Sequence, residues 1–67
     1  MEYDEATHLY RRTVARADDL FHLTPARPSA ALSYRDDDTW YLHAEDGRLI
    51  ARVNRLGVRV CQATIPK

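Results

Sequence analysis

The side chains best suited to chemistry in this chain are arginines, a tyrosine and their neighbours in its second half. Guanidinium groups bind anions and stack on aromatic rings, while tyrosine and isoleucine supply the aromatic and apolar contacts that are common at protein interfaces. The strand pattern described below brings these residue types to one face of a sheet. We therefore predict a surface that binds a partner or an anion, formed by Tyr41, His43, Ile50, Arg52 and Arg59.

Metal binding and catalysis are not indicated by the remaining polar residues. A zinc site takes about four ligands, usually in closely spaced pairs, and neither the three histidines nor the single cysteine provides such a pair. The run Asp36–Asp38 lacks the spaced oxygen ligands and the glycine of a calcium loop and is typical of a hairpin turn. Cys61 has no partner base in the pattern, so we expect it to pack as a small hydrophobic residue. We therefore expect no enzyme activity and no metal or other cofactor.

Length and charge limit the class of protein. Sixty-seven residues are enough for one small domain, residues 1–67, which buries only about 60% of the surface that its unfolded chain exposes. Ten basic residues balance ten acidic residues, so the net charge attracts neither nucleic acid nor an anionic membrane. Beyond Asp46, however, all the charged residues are basic. This stretch is either a solvated strand face balanced by Asp36–Asp38 or a local anion-binding patch.

The cellular location is inferred from the cysteine count and the N-terminus. One cysteine excludes an internal disulfide and fits a reducing compartment. No signal peptide precedes the first charged residues, and no apolar stretch is long enough to span a membrane. The chain begins with Met1 and has no tag-like tract, so we expect a complete small gene product in the cytoplasm.

An amphipathic helix is predicted from about Asp4 to His22. Asp4 has a side chain suited to the N-cap, and Glu5 adds negative charge where the helix dipole is positive. Mostly apolar residues recur at spacings of three and four along one side, namely Ala6, Tyr10, Thr13, Val14, Ala17, Leu20 and Phe21. Such a stripe is typical of a helix that lies on a sheet. The two prolines within Thr24–Ser29 then favour an extended connection.

Asp46-Gly47 lies between two runs of alternating polar and apolar residues and therefore predicts a β-hairpin. A two-residue type I′ turn needs positive φ at both central positions, which Asp-Gly adopts readily. This turn pairs His43 with Ile50, Leu42 with Ala51, Tyr41 with Arg52 and Trp40 with Val53. Alternation along each strand then divides the side chains between two faces. The predicted inner face holds Trp40, Leu42, Ala44, Leu49, Ala51 and Val53, and the outer face holds Tyr41, His43, Glu45, Arg48, Ile50 and Arg52.

The hairpin belongs to a predicted sheet of four antiparallel strands. These strands are expected at Ala30–Arg35, Thr39–Ala44, Arg48–Val53 and Val58–Gln62. The expected fold is therefore α+β, with one N-terminal amphipathic helix packed on a four-stranded antiparallel β-meander in two layers.

The loops set the register of this sheet. A three-residue loop at Asp36–Asp38 opposes Tyr34 to Trp40 and keeps the apolar face continuous, with Leu32 opposite Leu42. A two-residue loop would instead oppose Arg35 to Trp40, so the three-residue loop is preferred. The last turn, Asn54–Gly57, places Val53 opposite Val58 and Ala51 opposite Val60.

In this register the outer face carries one row across all the strands, formed by Ser33, Tyr41, Arg52 and Arg59. Facing arginines are mildly destabilising. Either an anion, a partner carboxylate or stacking on Tyr41 compensates them, or their long side chains splay into water. Ala31 is expected beside this row.

The leading functional hypothesis is a small non-enzymatic protein–protein interaction module of the regulator, adaptor or inhibitor type. It would bind another protein or its own copy through the outer face and the open sheet edges. The alternative is a nucleic-acid-binding protein that uses the arginines and tyrosine of the same face. Because Trp40 and Tyr34 are assigned to the core, Tyr41 is the only outward ring, and this favours the protein partner.

Overall fold

The computed structural model describes residues 2–21 and 25–61, with side chains for residues 2–16 and 25–61. One helix, α1 (Tyr3–Phe21), precedes four strands, β1 (Tyr34–Asp36), β2 (Thr39–His43), β3 (Leu49–Asn54) and β4 (Gly57–Val60). The strands form one antiparallel sheet in the order β1-β2-β3-β4. The predicted α+β fold is confirmed. The predicted ends at His22 and Gln62, and the side chains of Ala17, Leu20 and Phe21, lie outside the described residues.

Helix α1 packs on the sheet through the predicted apolar stripe. Ala6, Tyr10 and Val14 follow each other at four-residue spacing, and all three are fully buried. The helix begins one residue before the predicted start, because the N–H of Ala6 donates to the carbonyl of Glu2 at 2.9 Å. Asp4 therefore lies in the first turn and is not the N-cap, and its negative charge still favours the positive end of the helix dipole.

The core lies between α1 and the sheet. Its buried apolar residues are Ala6, Tyr10, Val14, Leu42, Ala44, Ile50, Ala51 and Val53. Trp40 packs against this cluster from the inner face, as predicted, and its ring meets that of Tyr3 edge to face at 5.8 Å. The Tyr10 hydroxyl accepts a hydrogen bond from the N–H of Ala26 at 3.1 Å, which ties the connection to the helix. Within the described residues, no helix has the length and apolar character needed to cross a membrane.

Strand β1 is shorter than predicted and begins later. The predicted strand started at Ala30, whereas residues 30–32 form a turn in which the carbonyl of Ser29 accepts N–H groups from Leu32 and Ser33. Pro28 forms an isolated antiparallel β-bridge with Ala44, just after β2, and so occupies the position where the predicted strand would have paired. Leu32 is consequently 44% exposed and does not join the core.

The loop between β1 and β2 has two residues, so the three-residue prediction is wrong. Asp36 pairs with Thr39, and Asp37 takes up a left-handed conformation with φ 59°. Tyr34 therefore lies opposite Tyr41, on the face away from the helix, and Arg35 lies opposite Trp40. The sheet tolerates Arg35 there because β1 is an exposed edge, where the guanidinium Nε donates to the carbonyl of Asp37 at 2.9 Å.

The hairpin between β2 and β3 also differs from its prediction. The N–H of Ala44 donates to the carbonyl of Arg48, and the N–H of Gly47 donates to the carbonyl of Ala44, each at 2.9 Å. The loop thus has three residues, and Gly47, at φ 90°, is the one with positive φ. This is the geometry of a turn followed by a glycine bulge and not a two-residue type I′ turn.

A second irregularity lies at Ile50. Trp40, Tyr41 and Leu42 pair with Val53, Arg52 and Ala51 as predicted, but His43 pairs with Leu49. Ile50 has no partner in β2 and forms a β-bulge, which turns its side chain into the core. The predicted pairs of β3 with β4, Ala51 with Val60 and Val53 with Val58, are confirmed.

Candidate functional site

The side of the sheet away from α1 carries one row of residues, one from each strand. Tyr34 pairs with Tyr41, Tyr41 with Arg52 and Arg52 with Arg59, so the four side chains share a face. We call this side the open face and define it by Tyr34, Tyr41, His43, Arg52 and Arg59. Its first position is filled by Tyr34 and not by the predicted Ser33.

Three aromatic rings meet at one end of this row. The ring of Tyr34 stacks on that of Tyr41 at 5.1 Å and 21°, and on that of His43 at 5.7 Å and 22°. Tyr34 is 53% exposed, whereas Tyr41 and His43 are half-buried. The hydroxyl of Ser33 accepts the backbone N–H of His43 at 2.9 Å and so fixes the strand beneath the rings. The open face therefore offers a cluster of nearly parallel rings, of which Tyr34 is the most accessible.

Two arginines face each other at the other end of the row. Arg52 and Arg59 are directly paired across β3 and β4, and both are exposed. Among the described residues, the ion pairs are Arg48 with Asp46 at 2.7 Å and Arg55 with Asp38 at 3.5 Å. Neither involves Arg52 or Arg59. Because like charges directly opposite each other are destabilising, this pair of guanidiniums favours an added anion.

A shallow depression of about 470 Å³ lies over the arginine end of the open face. Its lining includes Thr39, Tyr41, Arg52, Asn54, Leu56 and Arg59. Leu56 stands at the tip of the loop between β3 and β4 and is 97% exposed. The side-chain oxygen of Asn54 accepts the N–H groups of Leu56 and Gly57 at 2.8 and 3.1 Å and so holds this loop in shape. The depression thus combines a ring, two cations, polar groups and an apolar rim.

The structure separates the predicted site residues into two groups. Tyr41, His43, Arg52 and Arg59 lie together on the open face. Ile50 does not: the prediction that it faces outward is wrong, because the bulge buries its side chain completely. Sequence reasoning missed Tyr34, since a loop one residue too long assigned it to the core.

Two other residues expected near this surface lie elsewhere. Arg48 is bound at the hairpin tip, where its backbone N–H and its Nε donate to the carboxylate of Asp46 at 3.0 and 2.7 Å. The backbone N–H of Arg48 holds the pKa of that carboxyl below its usual value. Ala31 lies in the turn that precedes β1 and is not in a strand.

Metal-binding groups are not gathered in the described part of the chain. In residues 2–16 and 25–61, no group of three or more histidine, cysteine, aspartate or glutamate side chains is placed to hold a metal ion. Cys61 is exposed just after β4, so the expectation that it packs as a hydrophobic residue is wrong. Its sulfur lies 3.8 Å from the carbonyl oxygen of Arg59.

Comparison with known proteins assigns this chain to no group. No protein-family model, no curated protein and no solved structure matches the chain.

Proposed function

We propose that this chain is a small non-enzymatic binding module and that the open face is the surface with which it holds a partner. The observation that carries this proposal is the row of Tyr34, Tyr41, Arg52 and Arg59 across four paired strands. Interface cores are enriched in tyrosine and arginine and depleted of acidic residues and lysine. The row has this composition, and it lies on rigid strands that need no rearrangement to bind.

The partner is expected to carry negative charge where it meets Arg52 and Arg59. None of the described acidic residues is in this row: Glu2, Asp4 and Glu5 lie at the start of α1, Asp37 and Asp38 in the loop after β1, and Glu45 and Asp46 at a hairpin tip, while Asp36 pairs with Thr39 at the end of β1. The chain as a whole has no net charge, but the patch around Arg52 and Arg59 is positive. A local field of this kind steers an anionic partner to one face without attracting anions everywhere.

A protein partner remains the first expectation from sequence, and the exposed Leu56 beside the depression supports it as an apolar contact. A second copy of the chain is a narrower version of the same idea. The row runs from two tyrosines to two arginines, so a two-fold rotation would lay the rings of one copy over the guanidiniums of the other. Such a dimer would, however, bury four guanidiniums with no carboxylate from the row to pair with them, which is unfavourable. An anionic partner is therefore favoured over a second copy of the chain.

A matched pair of double variants tests the proposal. Tagged wild-type domain, R52Q/R59Q and R12Q/R16Q are used to capture partners from an extract of the source cells, and sedimentation velocity reports self-association. Arg12 and Arg16 are exposed on α1, so the control removes the same charge from another surface. We expect capture or self-association to be lost in R52Q/R59Q alone. Equal capture by all three proteins would remove the open face from consideration.

We further propose a reducing compartment, namely the cytoplasm, as the site of action. The chain has one cysteine, and Cys61 is an exposed free thiol. An exposed free thiol is unusual where disulfides form readily. Cell fractionation followed by thiol labelling checks this, and recovery of the native protein as a Cys61 disulfide would contradict it.

A further inference from the structure

Rings and paired guanidiniums in one row match the two chemical parts of a single nucleic-acid strand. We infer that the partner of the open face is a single-stranded nucleic acid, with bases stacked at Tyr34 and Tyr41 and a phosphate held between Arg52 and Arg59. This inference rests on the proposed function and names the class of partner for that site. It is carried by the position of Tyr34 beside Tyr41 and by the arginine pair.

The aromatic end of the row is suited to bases. Tyr34 and Tyr41 are already stacked with an interplanar angle of 21°, and about half of Tyr34 is exposed. A base can extend this stack, because every base has a flat π-face. The ring of His43 also stacks on that of Tyr34, at 5.7 Å and 22°. Strand pairing fixes the backbone that carries these rings, and the two rings are already stacked, so little ordering is required when a base binds.

The arginine end is suited to a phosphate. Residues directly opposite on antiparallel strands have Cβ atoms about 5 Å apart, so both guanidiniums can reach one group between them. The planar guanidinium donates two parallel N–H bonds to phosphate oxygens and is the side chain best matched to that geometry. A bridging phosphate would also remove the repulsion between Arg52 and Arg59. The depression beside them leaves room for the sugar.

The composition of the row favours a nucleic acid over a protein as the main partner. Ile50 is fully buried, and Leu49, which takes the predicted place of Ile50 opposite His43, is half-buried. The row itself consists of two aromatic rings and two cations and has no aliphatic side chain that could fill an apolar pocket of a protein. Stacking together with phosphate contact is how single strands are bound without sequence preference.

The contact is expected to be short. Four neighbouring strands place the ends of the row about 14 Å apart. Asp36 pairs with Thr39 at the edge of the depression, and the negative charge of Asp36–Asp38 repels phosphates beyond it. We therefore expect only about two phosphates to be neutralised, which gives a slope of about −1.4 for log K against log salt concentration.

Fluorescence anisotropy with a short labelled oligothymidylate, the matching oligouridylate and a DNA duplex tests the inference. Between about 50 and 200 mM salt, affinity for the single strands should fall about sevenfold. R52Q should lower the slope to about −0.7, and Tyr34→Ala should weaken binding about tenfold through lost stacking. Tyr34→Phe keeps the ring and should retain more affinity than Tyr34→Ala, whereas R12Q lies on α1 and should bind as wild type does.

The outcomes separate this inference from the proposed function. No binding of either single strand at about 50 mM salt, binding that Tyr34→Ala and R52Q leave unchanged, or equal binding of duplex overturns the nucleic-acid partner. If an acidic protein is nevertheless captured in a manner that R52Q/R59Q abolishes, the binding module stands with a protein partner. If neither probe depends on the open face, both conclusions fall. Circular dichroism of each variant confirms that it is folded.

Discussion

Ile50 and Ala51 follow each other along β3, and the side chains of both are fully buried. Consecutive side chains of a regular strand point to opposite faces, so this arrangement requires the bulge between the pairs of Leu42 and His43. The backbone of Ile50 is not lost to the sheet, because its carbonyl accepts the N–H of Cys61 at 2.9 Å. The bulge therefore adds a large side chain to the core while the pair of Tyr41 and Arg52 stays outside.

Truncation of Ile50 should destabilise the domain far more than truncation of its neighbour. Ile50→Ala removes a fully buried side chain and should lower the free energy of unfolding by about 2–5 kcal/mol. Leu49 lies opposite His43 and is half-buried, so Leu49→Ala should cost clearly less. Urea denaturation of both variants measures the difference. The reverse order would show that β3 follows the regular alternation.

Tyr10→Phe should weaken the attachment of the connection to α1. The variant leaves the N–H of Ala26 without its 3.1 Å acceptor, which should cost about 1–2 kcal/mol in free energy of unfolding. Tyr34→Phe is the control, since Tyr34 lies exposed on the open face. Equal stability of Tyr10→Phe and wild type would mean that this hydrogen bond adds nothing.

The same tyrosine should give the domain a characteristic response to alkaline pH. Burial raises the pKa of the Tyr10 hydroxyl, so the folded state favours its neutral form. The stability that this provides is fully present below the unfolded pKa, near 10, and is lost as pH rises through the folded pKa. Stability measured above about pH 10 should therefore fall more steeply for wild type than for Tyr10→Phe. Parallel curves would contradict the assignment.

Asp46→Asn should change how the free energy of unfolding depends on pH in the acidic range. Hydrogen bonding to the backbone N–H of Arg48 lowers the pKa of the Asp46 carboxyl. Its contribution is present above the unfolded pKa, near 4, and is lost as pH falls through the lower folded value. The stability advantage of wild type over Asp46→Asn should therefore shrink as the solution is acidified. Glu45→Gln, which removes the same charge at the neighbouring loop position, is the control for the loss of a carboxylate from this loop.

The stability of variants at Asp37 should depend on whether the new residue can adopt the positive φ of this position, and not on the loss of the negative charge. Its φ of 59° is costly for residues other than glycine, asparagine and aspartate. Asp37→Ala should therefore lose about 1 kcal/mol, whereas Asp37→Gly should be close to wild type. Thermal unfolding of the two variants measures this. A destabilised glycine variant beside an unaffected alanine variant would contradict the left-handed loop.

The sequence predicts the layers of this fold well and two of its loops poorly. Helix periodicity correctly predicts that Ala6, Tyr10 and Val14 are buried, because their four-residue spacing places all three on one side of the helix. The register of β3 against β4 follows from the turn at Asn54–Gly57. The loops at Asp36–Asp38 and Asp46-Gly47 fail because aspartate and glycine suit both two-residue and three-residue turns. A choice of one residue then decides which side chains face outward.

The candidate site shows the same limit. Tyr41, Arg52 and Arg59 are aligned by strand pairs that the sequence predicts correctly. The sequence predicts Tyr34 in the core and Ile50 on the outer face, whereas the structure places Tyr34 on the open face and Ile50 in the core. The two-residue loop before β2 accounts for Tyr34, and the bulge accounts for Ile50. No local sequence pattern predicts the bulge, because Ile50 and Ala51 would also fit a regular strand in which one of the two apolar side chains faces solvent. Packing against α1 decides it.

The brevity of β1 has a consequence for how the protein behaves when it is concentrated. Border strands with long rows of free amide and carbonyl groups recruit strands from other molecules and nucleate fibrils. β1 supplies three residues, two of them the charged Arg35 and Asp36. Polymerisation along this border is therefore disfavoured, and the domain can accumulate without forming cross-β deposits from that side.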